Sequence, residues 1–356
     1  MRYREGLSDR PSYDVTERDW KIKINANECN LNLPPLVDER VMNRLSHVAF
    51  NRYPNDEAGD LCEQIARNFG CQKENVQLGN GSSEIIEKLF YAFGGEGNSI
   101  VYPWPSFSMY PNYAKAAEAN GVAVNLSEDD YSLDVYEYIR AVRESNATLA
   151  VVCNPNNPTG NVMPLGDIEK IAKATADADC AFLVDEAYVE FGGESVAGLM
   201  KKYSHMIIAR TFSKAYGLAS ARVGYMLADS AMAEMFGKTL MPYHMNVLST
   251  VVADIVYQMR DEYRPRIDMM ISERKRVYES LGKYDELKVF PSGTNFILLK
   301  YDRSVALHER LEKLGIGVRS FGKAPGLTNC LRVSMGTREE NDTLLSAIDD
   351  FVKGSV

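Results

Sequence analysis

Five short runs constrain this chain more than anything else in it: Val76 to Leu78, Ser99 to Tyr102, Thr148 to Cys153, Phe182 to Val184 and Met206 to Ala209. Each is apolar or nearly so and reads as a buried strand. Between them lie helical patterns, such as Gly59 to Phe69 and the stretch up to Phe93, in which Ile85, Ile86, Leu89, Phe90 and Phe93 recur on one face. Alternating strands and helices predict an α/β domain with a mostly parallel sheet. Such sheets bind ligands at the carboxyl ends of their strands, where Gly81, Asn157, Asp185 and Lys214 all fall.

The residues at those ends carry chemistry. Asp185 closes a buried strand, where a carboxylate without a cation is costly; the alternative is an acid capping a helix. Lys214, in A-R-T-F-S-K-A-Y-G-L-A-S-A-R-V-G-Y (Ala209 to Tyr225), sits on a strand-end loop beside Ser213, with Arg222 close behind. An amine placed there can form a Schiff base with a carbonyl, whereas a surface lysine near a helix start is the plainer reading. In G-N-G-S-S-E (Gly79 to Glu84) the glycines admit an anion to the backbone, and the Ser82 and Ser83 amides at a helix start point towards it; simple N-capping explains the same residues. The heptad N-P-N-N-P-T-G (Asn154 to Gly160) is a tight loop with free amide groups.

Composition excludes several classes. The 356 residues, 45% of them apolar, allow about two domains with a large core. A net charge of −9 offers no broad attraction for nucleic acid or an anionic membrane, so an anionic substrate needs local arginines. The N-terminus has no signal-like apolar region and no stretch reaches membrane-span length, which makes a cytoplasmic protein the expectation. Six scattered cysteines without a C-x-x-C pair read as reduced thiols, and four histidines without ligand spacing predict no metal site.

Taken with F-L-V-D-E-A-Y (Phe182 to Tyr188), I-N-A-N-E (Ile24 to Glu28) and L-R-V-S-M-G-T-R-E-E (Leu331 to Glu340), these stretches resemble the fold-type I pyridoxal-phosphate enzymes. The resemblance spans nearly the whole chain and is closest to the histidinol-phosphate aminotransferase branch. It implies a pyridoxal 5'-phosphate cofactor held covalently by Lys214, paired through its pyridine nitrogen with Asp185, and tuned at its 3-oxygen by Tyr188 and Asn157. It implies a phosphate cup of Gly81, Ser82, Ser83, Thr211, Ser213 and Arg222, with Phe107 (or else Trp104) stacked on the ring. Tyr53, from N-R-Y-P, would reach the phosphate of the neighbouring subunit in a homodimer. Arg332 and Arg319 match arginines that bind substrate anions, and Tyr13 and Asn27 are further substrate candidates. A surface ion pair is the alternative for Arg319 and packing for Tyr13. Asn157-Pro158 is a candidate cis bond, His244 and Asn246 could face a substrate side chain, and Ser220-Ala221 departs from the Gly-Leu usual in relatives.

The implied reaction transfers an amino group from L-histidinol phosphate to 2-oxoglutarate. An L-threonine-phosphate decarboxylase or another amino acid aminotransferase fits the cofactor residues equally well. A ligand-sensing regulator of this fold would need a DNA-binding module, and the piece before Ile24 is short and has no basic helix. The expected division is an irregular arm with part of the small domain (1–48), a large cofactor-binding domain (49–260) and a small α+β domain (261–356).

Overall fold

The computed structural model describes residues 18–54 and 57–354. The N-terminal segment, expected to be irregular apart from one strand, also carries a helix. After strand β1 (Ile22–Lys23) comes helix α1 (Pro35–Leu45), which opens on a proline whose missing N–H costs nothing in the first turn. Only Val37 and Val41 of α1 are buried, while Leu36 and Met42 face outwards. Two inward positions one turn apart give too thin a stripe to read as helical periodicity.

Helix α2 (Glu57–Phe69), strand β2 (Val76–Gly79), helix α3 (Ser82–Phe93) and strand β3 (Ser99–Trp104) then alternate as anticipated. The chain continues through α4 (Tyr110–Ala116), β4 (Asn120–Asn125), α5 (Val135–Glu144), β5 (Ala147–Cys153), α6 (Leu165–Asp177), β6 (Ala181–Asp185), β7 (Met206–Thr211) and β8 (Gly224–Leu227). Seven of these strands form one sheet in the order β2-β8-β7-β6-β5-β3-β4. β8 runs antiparallel to both neighbours and the remaining pairs are parallel.

Alternation along the central strands explains their composition. Phe182 and Val184 of β6, and Met206 and Ile208 of β7, face one core; Leu183 and Ile207 face the other. Both faces are covered, so every position is apolar rather than every second one. Ile85, Ile86, Leu89 and Phe90 of α3 close one side, and Tyr138 of α5 with Ile168 and Ile171 of α6 close the opposite side.

After α7 (Ser230–Gly237), the long helical region expected from Thr250 to Leu281 is broken into α8 (Val247–Gln258) and α9 (Arg264–Leu281), with a single turn of 3-10 helix between them. Pro265 stands in the first turn of α9, the helical position that tolerates proline. Helix α9 joins two cores: Ile267 and Met270 pack with the large sheet, and Val277 and Leu281 pack with the C-terminal elements. Those elements are β9 (Lys288–Val289), β10 (Phe296–Lys300), α10 (Ser304–Lys313), β11 (Ile316–Gly317), β12 (Arg319–Ser320), β13 (Cys330–Ser334) and α11 (Arg338–Val352). Four strands form an antiparallel sheet, β12-β13-β10-β9. β1 pairs in parallel with β11, which brings that strand into this half of the molecule, whereas Val37 and Val41 of α1 pack into the core of the large sheet.

Candidate active site

Three neighbouring strand ends create the site. Cys153 and Asp185, the last residues of β5 and β6, are cross-strand partners, and Asp185 pairs in turn with Ala209, two residues before the end of β7. Asp185 is only 4% exposed. Its Oδ2 accepts a bond from Tyr110 Oη at 3.0 Å, and its Oδ1 accepts one from the Ala187 amide at 3.2 Å. Among the described residues no cation pairs with it. Burial pushes its pKa up from the ordinary 3.8 to about 6, against the lowering effect of those two bonds. Tyr110, fully buried at the start of α4, went unnoticed in the sequence; its only signal is its place three residues beyond Phe107.

Lys214 follows β7 on a loop. Its Nζ donates to the Ala26 carbonyl at 3.0 Å and lies 5.9 Å from the centre of the Tyr188 ring. Desolvation first, then the Arg332 and Arg222 charges, depress its pKa to about 8, with Glu28 opposing them. The amine is therefore far more often neutral near pH 7.5 than an ordinary lysine.

The glycine-serine loop and the Arg222 loop meet. Gly81 caps α3 with φ 80°, and a Cβ there would stand 2.7 Å from Arg222 Nη2. Arg222 itself has φ 55°, and its Nη1 donates to the Ala219 carbonyl at 3.1 Å and to Ser213 Oγ at 3.5 Å. Thr211 Oγ1 accepts from the Ser213 amide at 3.1 Å. Ser220 is exposed and Ala221 half-buried, leaving the Ala219 carbonyl to hold the guanidinium. Gly224, which nothing in the sequence marks out, pairs with both Gly79 and Thr211 and so joins the glycine-serine loop to the end of β7. A Cβ at Gly224 would lie 2.3 Å from the Ser82 amide nitrogen.

Two asparagines of the heptad divide the work. Buried Asn156 accepts from Ser106 Oγ at 2.6 Å and donates to the Pro105 carbonyl at 3.0 Å, tying its loop to P-W-P-S-F. Asn157, whose bond to Pro158 is cis, accepts from Arg332 Nη1 at 2.6 Å. Arg332 also donates to the Asn25 carbonyl at 2.9 Å. Phe107 is half-buried and meets Tyr110 edge to face at 5.6 Å, one ring removed from the Asp185 carboxyl; Trp104, half-buried, ends β3. Tyr188 is buried, receives a bond from Asn27 Nδ2 at 2.9 Å, and packs edge-on against Phe296.

The other sequence candidates are spread more widely. Arg319 is exposed and lies directly opposite Arg332 in the β12–β13 pair, on the same face of the small sheet. Asn27 is 1% exposed and engages both ends of its amide within the protein. Tyr53 is 74% exposed and stacks on Tyr243 at 4.5 Å. His244 Nε2 donates to the Leu78 carbonyl at 3.1 Å, while Asn246 caps α8 through the Ser249 amide at 2.9 Å. Tyr13 lies outside the described residues. Among the described residues no disulfide joins any of the six cysteines. Among the described residues no helix is long and apolar enough to cross a membrane, and no group of three or more His, Cys, Asp or Glu could hold a metal ion.

A mixed, mostly parallel sheet whose strand ends gather a lysine with a depressed pKa, a buried acid with no cation beside it among the described residues, and a glycine-serine helix start against an arginine defines a class. The chain belongs to the aminotransferase class I and II family, whose profile matches residues 19–348. More narrowly, it is 36% identical over 98% of both chains to the histidinol-phosphate aminotransferase of Caldanaerobacter subterraneus subsp. tengcongensis. Its fold is similar to that of histidinol-phosphate aminotransferase from Sinorhizobium meliloti in complex with pyridoxal-5'-phosphate, with a TM-score of 0.86, 26% identity, and coverage of 95% of this chain and 92% of that one. A decarboxylase from Sulfurospirillum multivorans is also similar, with a TM-score of 0.79, 26% identity, and coverage of 94% and 89%.

Proposed function

We propose that this chain is a pyridoxal 5'-phosphate-dependent aminotransferase that converts L-histidinol phosphate and 2-oxoglutarate to imidazole acetol phosphate and L-glutamate, a step of histidine biosynthesis. The observation that carries the reading is the buried Asp185 carboxyl with no cation beside it among the described residues, on the same edge of the sheet as Lys214. A protonated pyridine nitrogen is the cation it requires. The cup of Gly81, Ser82, Ser83, Thr211, Ser213 and Arg222 suits a dianionic phosphate, because it offers helix-start amides, hydroxyls and a guanidinium. The residues present therefore fit the cofactor. Bound there, it supplies an electron sink for the charge left when the substrate loses its Cα proton.

The protein's own groups do the rest. The Lys214 amine, which burial and two neighbouring guanidinium groups make easier to deprotonate than an ordinary lysine, takes the Cα proton and returns it. Tyr188 and Asn157 would bond the ring oxygen, and Phe107 would cover the ring. Arg332, with Arg319 beside it on the same sheet face, holds the phosphate of one substrate and the carboxylate of the next. The exposed apolar side chains of Leu36, Met42, Phe50, Tyr53, Met241 and Tyr243 support a homodimer in which Tyr53 reaches the partner subunit's cofactor phosphate. We place the protein in the cytoplasm, in keeping with six cysteines that form no disulfide among the described residues. We retain the division at 1–48, 49–260 and 261–356, with α9 rooted in both cores.

The decarboxylase neighbour motivates a second reading, in which threonine phosphate loses carbon dioxide at the same site. Incubating the cofactor-loaded protein with histidinol phosphate and 2-oxoglutarate, and separately with threonine phosphate alone, distinguishes the two. Glutamate formed in the first mixture, without carbon dioxide in the second, is the expected result. Carbon dioxide from the second, without glutamate in the first, would overturn the aminotransferase assignment.

A further inference from the structure

Three buried bonds beside Tyr188 take their polarity from the way the Asn27 amide is turned. The Asn27 backbone N–H can only donate, and it donates to Ser334 Oγ at 2.9 Å. Asn27 Oδ1 faces the same Ser334 Oγ at 2.9 Å and, as an amide oxygen, can only accept, so the Ser334 hydroxyl hydrogen goes to it. With Oδ1 turned to Ser334, the amide nitrogen of the same side chain must face Tyr188 Oη, at 2.9 Å. An amide nitrogen cannot accept, so the Tyr188 oxygen accepts there and its own hydrogen points elsewhere. Among the described residues no group takes that hydrogen. Asn27, Ser334 and Tyr188 are 1%, 1% and 4% exposed, which leaves solvent little chance to scramble the order.

We propose that Asn27 and Ser334 are positioning residues that fix the direction of the Tyr188 hydroxyl hydrogen, aiming it at the cofactor's ring oxygen. The proposal rests on the cofactor reading above. It gives Asn27 a role exerted through Tyr188, distinct from the expected contact with substrate.

The relay is assembled from three distant parts of the chain: the N-terminal segment, strand β13 of the small sheet, and the loop after β6. The Ser334 amide donates to the Ile24 carbonyl at 2.9 Å, and Asn295 Nδ2 donates to the Asn27 carbonyl at 3.1 Å, holding the segment against the sheet. Asn27 has φ 55°, a left-handed conformation that asparagine tolerates better than most residues. The titratable and charged groups around Tyr188 are Arg332 from β13, Cys153 from β5, Asp185 from β6 and Lys214 from the loop after β7. Removing the neutral Ser334 hydroxyl leaves all of their charges unchanged.

A bond donated by Tyr188 to the anionic ring oxygen favours the deprotonated form of the lysine-bound cofactor, so it lowers the pH midpoint of the visible absorbance band. Losing that bond raises the midpoint. Tyr188→Phe should raise it by about one pH unit, the size expected for a hydrogen bond to a charged group. Ser334→Ala should raise it by about half as much, and Ser334→Thr should restore the original value. In a Tyr188→Phe background Ser334→Ala should have no effect. Asn27→Ala, read in the same way, provides a second probe should Ser334→Ala fail to fold. An unchanged midpoint in Ser334→Ala and Asn27→Ala, beside a shifted one in Tyr188→Phe, overturns the relay. Equal shifts with and without the Tyr188 hydroxyl overturn it too, because the effect then travels by another route. Failure of the parent protein to develop any visible band overturns the cofactor reading itself.

Discussion

Replacing Asp185 by asparagine should change how the stability of the cofactor-free protein depends on pH. The carboxyl titrates near 3.8 when the chain is unfolded and at about 6 when it is buried at the end of β6. Below the lower value both states are protonated and the group has no effect. Between the two values the unfolded chain ionises first, so stability falls as pH rises; above about 6 the full penalty remains. At about 1.4 kcal/mol per pH unit the penalty reaches roughly 3 kcal/mol, of which about 2 kcal/mol develops between about pH 4.5 and 7.5. Asp185→Asn cannot ionise and escapes this loss. Urea unfolding of both cofactor-free proteins across that interval should show the difference in stability moving in favour of the variant by about 2 kcal/mol. Pyridoxal phosphate should reverse the order, since a pyridinium supplies the missing charge to the wild type and leaves the amide without a comparable gain. Parallel pH profiles for the two cofactor-free proteins would refute the claim that a carboxylate without a cation is buried here.

Lys214 offers a second titration. With its pKa lowered to about 8, the amine of the cofactor-free protein should be trapped by an aldehyde and borohydride with a midpoint near pH 8. At about pH 7.5 it should react a few hundred times more readily than a surface lysine; a midpoint near 10 would remove the argument for activation by burial. Gly224→Ala places a carbon 2.3 Å from the Ser82 nitrogen, so the affinity for pyridoxal phosphate should fall at least about tenfold, measured by fluorescence titration, and unchanged affinity would dissociate this glycine from the cup. Arg332→Lys loses the planar fork that bonds Asn157 and the Asn25 carbonyl, and KM for both substrates should rise about tenfold or more in steady-state assays. An effect on one substrate alone would place the second anion elsewhere.

Much of the site was legible because it is local. Asp185, Lys214, Asn157 and the Gly79–Glu84 turn each lie within a few residues of an apolar run, and a strand end predicts where its following side chains emerge. Helix α1 was hidden because only Val37 and Val41 face inwards, leaving too little pattern to reveal a period. Tyr110 looked like any core tyrosine, since nothing within a few residues announces a partner 75 positions away. Gly224 resembled an ordinary strand glycine, and only the approach of the Ser82 backbone forbids a side chain there.

The sequence by itself determined the order of strands and helices, the mostly parallel sheet and the residues at its ends, because burial and chain stiffness write those features in short-range patterns. Tertiary structure alone decided how those residues act. The pKa values of Asp185 and Lys214 depend on burial by segments remote in sequence. The aim of the Tyr188 hydroxyl depends on Asn27, 161 residues away, and on Ser334, 307 residues beyond that asparagine. Desolvation and hydrogen-bond polarity are properties of assembled neighbours, and no window along the chain contains them.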